Sequence, residues 1–184
     1  RHVTGISHDG TRLIPRTSAN DTDQNHVQFY TYSSTTTYTK KIDALKEAVN
    51  AFIDGVAAKS GDSKIAIVKF AGDKTRPENK IGNDFYRESG YTYNYTQIVK
   101  DLTTVDAAGQ TVLKNAVNAL NPAGATSADY GMQLANTLVA SENSERSQVV
   151  VMFTDGEPNH TNGFDSNVAN DAIVASKSIK DKGA

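Results

Sequence analysis

The apolar residues of this chain fall into two patterns, short continuous runs and longer stretches with a helical repeat. Residues 149–153 form a run of five apolar side chains that ends just before Thr154 and Asp155. Residues 64–71 contain a second run. Continuous runs of this length are typical of strands that are buried on both faces of a parallel sheet. We therefore predict two buried strands.

Four stretches carry apolar residues three and four positions apart, which is the spacing of one face of an amphipathic helix. We predict helices over residues 41–58, 107–120 and 128–140, and a final helix whose apolar face comprises Val168, Ala172, Ile173 and Ile179. Strands that alternate with helices predict an α/β fold with a largely parallel sheet flanked by helices.

Two polar segments interrupt this alternation. Residues 1–40 lack helical periodicity, and β propensity around Val27-Gln28-Phe29-Tyr30 predicts an arm with one hairpin. Residues 72–91 contain proline and glycine and predict a second, irregular arm. Residues 91–99 alternate enough to form a strand, which we place at an edge of the sheet.

Composition excludes several classes of function. The 184 residues suit one domain, and the formal net charge of −2 gives no sign of a nucleic acid or an anionic membrane as partner. No apolar run is long enough to span a bilayer. Because cysteine is absent, disulfides, thiolate metal sites and cysteine nucleophiles are excluded.

The sequence also lacks the common catalytic motifs. Three of the four histidines lie within residues 1–40 without helical ligand spacing, and neither a Gly-x-Ser-x-Gly motif nor a phosphate-binding loop occurs. Asp155 and Glu157 form a carboxylate pair in one loop, and His160 could act as a base. Ordinary solvated loop residues are the simpler interpretation of all three, so we do not expect an enzyme.

Two loop residues stand out as candidate ligands. Asp155 follows a predicted strand at its carboxyl end, where ligands bind in open α/β sheets. The alternative role for Asp155 is to cap its own loop. Thr126 lies in a glycine-containing loop just before a predicted helix, where the alternative role is an N-cap.

These elements and motifs resemble a von Willebrand factor A domain over residues 41–184. The resemblance is carried by the loop Gly124-Ala125-Thr126 before a helix and by the apolar strand that closes on Thr154-Asp155-Gly156. It implies a doubly wound, mostly parallel sheet with a metal-ion-dependent adhesion site at the top of its strands. That family builds the site from an Asp-x-Ser-x-Ser motif, a Thr and an Asp, and the last two match Thr126 and Asp155.

The implied cofactor is Mg²⁺, or Mn²⁺ or Ca²⁺ in its place, bound by oxygen ligands. A hydroxyl with few carboxylates leaves such an ion under-neutralised, so an anionic group of a partner would complete its shell. The Asp-x-Ser-x-Ser motif is absent from this chain, and no apolar strand precedes residues 41–58. We therefore expect a fragment of a longer polypeptide whose central first strand and last strand lie outside it; the alternative is a degenerate domain that has lost its metal.

The resemblance places both arms and the loop of residues 157–164 around the metal, with a ligand-binding rim of Asp129, Glu157, Asn159 and His160. Loops on a rigid scaffold commonly carry binding function. The alternative is that the arms are solvated decoration.

Arms of this kind resemble those of pilus-tip and surface adhesins of Gram-positive bacteria. We expect an extracellular adhesion module of a cell-wall or pilus protein that binds a host matrix protein or glycan through a divalent cation, without inserting into a membrane. The alternatives are an intracellular von Willebrand A-type assembly module and a structural stalk domain with an empty site.

Overall fold

The computed structural model describes residues 12–14, 28–30, 40–76, 85–140, 147–154 and 156–184, and the chain divides into two compact units, residues 1–39 and 40–184. In the first unit, strands β1 (Arg12–Ile14) and β2 (Gln28–Tyr30) pair in antiparallel fashion. The short strand predicted near residue 28 is therefore confirmed. Within the described ranges, no helix combines the length and the apolar character needed to cross a bilayer.

The main sheet of the second unit has three strands, β3 (Lys64–Lys69), β7 (Thr96–Thr104) and β4 (Thr75–Arg76), in the order β3-β7-β4. The long β3–β7 pair is antiparallel, and the short β4–β7 pair is parallel. The register shifts twice along β3 and β7, because β7 carries extra residues there. The unit is thus α/β with a mixed sheet.

Two features of this sheet differ from the prediction. The strand predicted over residues 91–99 as an edge strand continues into β7, which is central because it is paired on both sides. β7 also runs antiparallel to β3, and the described residues between the two strands contain no helical crossover, which antiparallel strands do not need.

Four helices flank the sheet within the described residues, α1 (Lys41–Lys59), α2 (Ala107–Asn118), α3 (Ala128–Ala140) and α4 (Ser166–Asp181). Their positions confirm the helices predicted from periodicity. The carboxylates of Asp106 and Asp165 cap α2 and α4 by accepting hydrogen bonds from backbone N–H groups. The predicted apolar face of α4 is right at Val168 and Ile179 but wrong at Ile173, which is 66% exposed.

Two apolar clusters pack the helices, and the first of them also packs on the sheet. The first joins α1 and α2 through Ile53, Leu113 and Val117, with Ile65 and Ile67 of β3 packed against it. The second joins α3 and α4 through Met132, Val139, Ala175 and Ile179. Phe70, which follows β3, touches Gly131 of α3. The helices α1 and α2 thus pack on β3 itself, and α3 lies beside the residue that follows it.

The segment predicted as an irregular arm contains a hairpin at its described end. Strands β5 (Phe85–Glu88) and β6 (Tyr91–Asn94) pair in antiparallel fashion through the turn Ser89-Gly90. Both turn residues have positive φ, 50° and 84°, as a two-residue type I′ hairpin turn requires. The prediction of an irregular segment is therefore wrong for Thr75–Arg76, which form β4, and for residues 85–90.

The strand predicted over residues 149–153 is also wrong in this structure. These residues belong to no strand, and Val149 and Val151 are 79% and 50% exposed. Val150 packs against the α3–α4 cluster. A strand needs a neighbour for its backbone groups, and among the described strands β3 pairs with β7 alone.

Candidate metal and ligand site

The loop that carries Thr126 is fixed to the end of β3 and to the hairpin. The N–H of Ser127 donates to the carbonyl oxygen of Ala71 over 2.9 Å. Gly124 has a φ of 99°, and a Cβ at this position would lie 2.8 Å from Cδ1 of Tyr93. Glycine is therefore required at this position, because any other residue would be strained at this φ and its Cβ would collide with Tyr93.

Thr126 is joined to the second motif loop by a two-residue antiparallel bridge. The N–H of Thr126 donates to the carbonyl oxygen of Asn159 over 3.1 Å. The N–H of Asn159 donates in return to the carbonyl oxygen of Thr126 over 3.0 Å. Reciprocal backbone bonds fix the distance between the two loops. The Thr126 loop and the loop that follows Asp155 thus share one edge of the molecule.

Gly156 brings the second loop to the hydroxyl of Thr126. A Cβ at Gly156 would lie 2.8 Å from Thr126 Oγ1. Asp155 lies outside the described residues, and the structure describes its neighbours Thr154 and Gly156. The backbone on the carboxyl side of Asp155 therefore passes directly beside Thr126.

His160 is held between two residues of the Thr126 loop and α3. Its Nδ1 lies 2.9 Å from the hydroxyl oxygen of Ser127, and its Nε2 lies 3.3 Å from Oδ2 of Asp129. Ser127 and Asp129 are buried. The ring of His160 also lies against the ring of Tyr130, with 5.2 Å between centroids. These contacts hold the loop of residues 157–161 in place.

The predicted rim residues therefore differ in their surroundings. Asp129 is buried beneath His160 and is not an exposed rim residue, because the first turn of α3 faces inward. Glu157 is exposed, and its carbonyl oxygen accepts a bond from Nδ2 of Asn159 over 2.7 Å. Asn159 and His160 are partly buried in the same loop.

Oxygen donors for a hard cation are present beside Thr126. Two buried side-chain oxygens, Oδ1 of Asp129 and Oδ1 of Asn159, have no hydrogen-bond partner among the described residues. Buried polar atoms are nearly always partnered by protein, water or an ion. No group of three or more His, Cys, Asp or Glu side chains close enough to bind a metal occurs in the part of the chain that the structure describes. A hydroxyl, an amide and a buried carboxylate nevertheless suit Mg²⁺ or Ca²⁺.

A cavity of about 240 Å³, the hairpin cavity, opens next to this edge, lined by Asp73, Tyr86, Glu88, Ser89, Tyr93, His160 and Thr161. It joins the β5–β6 hairpin to the loop of His160. The sequence prediction missed Asp73, Tyr86 and Ser127. The Ser-Gly turn between two alternating Tyr-rich stretches was the signal for the hairpin, whereas the contact of Ser127 with His160 has no sequence signal.

Two side chains at the hairpin, Tyr86 and Lys74, have raised pKa values. The phenol of Tyr86 donates to Oδ1 of Asp73 over 2.6 Å. Burial, reinforced by Asp73, raises the pKa of the Tyr86 phenol above its usual range. The hydrogen bond to Glu88 raises the pKa of the exposed Lys74 ammonium. At neutral pH the phenol of Tyr86 is therefore a neutral donor.

No family model, curated protein or solved structure matches this chain. The resemblance to von Willebrand factor A domains therefore stays a prediction from the two loop motifs of the sequence. What the site does has to be inferred from the side chains that the structure brings together.

Proposed function

We propose that this chain is a von Willebrand A-type, metal-ion-dependent adhesion module of a bacterial surface or pilus protein. The observation that supports it best is the meeting of the two motif loops, with the Thr126–Asn159 bridge and with Gly156 against the hydroxyl of Thr126. The motifs lie about thirty positions apart in the sequence, so their contact is a property of the fold. The proposed partner is a host matrix protein or glycan.

In this proposal Thr126 and Asp155 hold Mg²⁺, or Mn²⁺ or Ca²⁺, by their oxygen atoms. A bound dication would supply an electrophilic centre for an anionic group of the partner. Asp129 adds negative charge beneath the site, and His160 orients the loop through Ser127 and Asp129. Glu157 and Asn159 stand at its border. The proposed role of these groups is binding and not catalysis.

The finer fold is part of the same proposal, a doubly wound sheet in which a further strand lies between β3 and residues 149–153. Support comes from the apolar side chains of Val149, Val151 and Phe153, which are exposed although their type is suited to a sheet interior. In the described sheet β3 is a terminal strand. A strand between β3 and residues 149–153 would pair with the outer edge of β3 and cover the exposed apolar side chains of residues 149–153.

Mn²⁺ binding to the chain tests the metal site. We expect isothermal titration to detect saturable binding that is weakened at least about tenfold by Thr126→Ala or Asp155→Asn, since each removes an oxygen ligand. Gly156→Ala should weaken it as well, because the added Cβ lies 2.8 Å from Thr126 Oγ1.

Matched controls separate ligation from folding. Thr111→Ala removes an exposed hydroxyl of α2, Asp171→Asn removes an exposed carboxylate of α4, and Gly55→Ala adds a Cβ that meets no atom within 4 Å. All three should bind Mn²⁺ as the parent does. Equal binding by Thr126→Ala and Thr111→Ala would refute the proposed role of Thr126.

A further inference from the structure

The walls of the hairpin cavity are rich in hydrogen-bond acceptors. Asp73 and Glu88 contribute carboxylates, and Ser89 and Thr161 contribute hydroxyl oxygens. The phenol of Tyr86 already donates to Asp73. The imidazole of His160 is engaged by Ser127 and Asp129. What the cavity offers to a ligand is therefore negative charge and lone pairs.

Side chains of the hairpin and of Tyr95, which follows it, already bind cations of the chain itself. Nζ of Lys74 lies 2.9 Å from Oε2 of Glu88 and 4.6 Å from the centroid of the Tyr86 ring. The guanidinium carbon of Arg76 lies 4.8 Å from the centroid of the Tyr95 ring. Aromatic rings attract cations by their negative faces. The rings of Tyr86 and Tyr95 thus attract ammonium and guanidinium groups, and Glu88, which also lines the cavity, adds to this attraction for Lys74.

The size of the cavity restricts its occupant. A volume of about 240 Å³ is below the roughly 300–1,000 Å³ of pockets that enclose a drug-sized molecule. One long side chain suits it better. Arginine presents five N–H donors in a planar fork that matches carboxylates in pairs, whereas lysine presents a single compact ammonium.

We propose that the hairpin cavity receives an arginine side chain of the protein that this module binds. Asp73 and Glu88 accept from its guanidinium, and the hydroxyl oxygens of Ser89 and Thr161 accept the remaining N–H groups. The proposal deepens the proposed adhesion function and rests on it for the existence of a protein partner. It places the specificity of binding in the second arm, beside the metal and not on it.

Nuclear magnetic resonance titration of the full chain with Nα-acetyl-arginine methylamide tests the proposal. The buffer contains EDTA, so the result does not depend on a cation. We expect saturable shifts of the backbone amides of Ser89, Tyr93 and Thr161. The citrulline analogue, which has the same shape without charge, should cause no saturable shift.

Three variants and one matched control sharpen the test. Asp73→Asn and Glu88→Gln should each weaken binding about two- to fivefold, as is typical of partly exposed charge pairs. Lys74→Met should strengthen it, because it removes the ammonium that competes for Glu88. Asp171→Asn, with the same charge change on exposed α4, should leave the affinity unchanged.

Several results would overturn the proposal. They are equal binding of the citrulline analogue, absence of saturable shifts, and shifts caused by a methyl glycoside but not by the arginine probe, which would assign the cavity to a glycan. Failure of Mn²⁺ to bind in the separate titration would count against the metal site alone. The two proposals can therefore fail independently.

Discussion

Tyr86 links the β5–β6 hairpin to the residues that follow β3, because its hydroxyl donates to Asp73. Its ring also stacks on Tyr93, with centroids 5.4 Å apart and planes 18° from parallel. Burial of the phenol, together with its hydrogen bond to Asp73, makes the folded state favour the neutral form and raises the pKa of Tyr86. A raised pKa contributes stability that is fully present below the pKa of the unfolded chain, about 10, and is lost as the pH rises toward the pKa of the folded state.

We accordingly predict that an alkaline titration followed by tyrosinate absorbance contains a late step, above the usual range of tyrosine, that belongs to Tyr86. Tyr86→Phe should remove the late step. Tyr91→Phe is the control, since Tyr91 is exposed at the same hairpin, and it should leave the late step in place. A late step that survives Tyr86→Phe would show that Tyr86 is not its source.

At the scale of single residues, the sequence indicates Thr126 and His160 because each lies in a loop with a recognisable pattern. The contacts of these residues are harder to predict from the sequence, since His160 and Ser127, which bond to each other, lie 33 positions apart in the chain. The burial of Asp129 depends on which face of α3 turns inward. Neither the bond between His160 and Ser127 nor the burial of Asp129 follows from local composition.

Among the elements, α2 shows how a short amphipathic helix is held. Asp106 caps it, and Leu113 is fully buried against Ile53 of α1 and Val105. We predict that Leu113→Ala lowers the free energy of unfolding by about 2–5 kcal/mol, because it removes buried methyl groups and leaves a cavity.

Urea denaturation measures this loss, and the adjacent residue supplies the control. Val112 faces outward on the same helix, so Val112→Ala should change the free energy of unfolding by no more than about 0.5 kcal/mol. Similar losses for both variants would mean that α2 is not packed by the face that contains Leu113.

The helices are predictable because their apolar repeat is long and local. The strands are harder, since their pairing depends on distant parts of the chain. β7 becomes central only because β3 and β4 both reach it. The run of residues 149–153 has the composition of a buried strand, yet it forms no strand, because none of the described strands pairs with it. The hairpin at Ser89-Gly90 was predictable from its turn and was missed.

At the scale of the whole molecule, the account places two different binding sites side by side along one edge of the second unit. The Thr126 loop and the loop after Asp155 form the proposed metal site, and the hairpin cavity beside them forms the proposed arginine site. His160 belongs to both, because it contacts Ser127 and Asp129 and lines the cavity. Partner binding that needs both sites would be lost on removal of either one.

The central claim is that a dication binds where the two motif loops meet. Paramagnetic broadening of backbone amide signals by Mn²⁺ tests it most directly, because the effect is local to the ion. We predict that the amides of Thr126, Gly156 and Asn159 broaden first and that an excess of Mg²⁺ restores them. Broadening centred on Asp73 and Glu88, or no selective broadening at Thr126, would contradict the account.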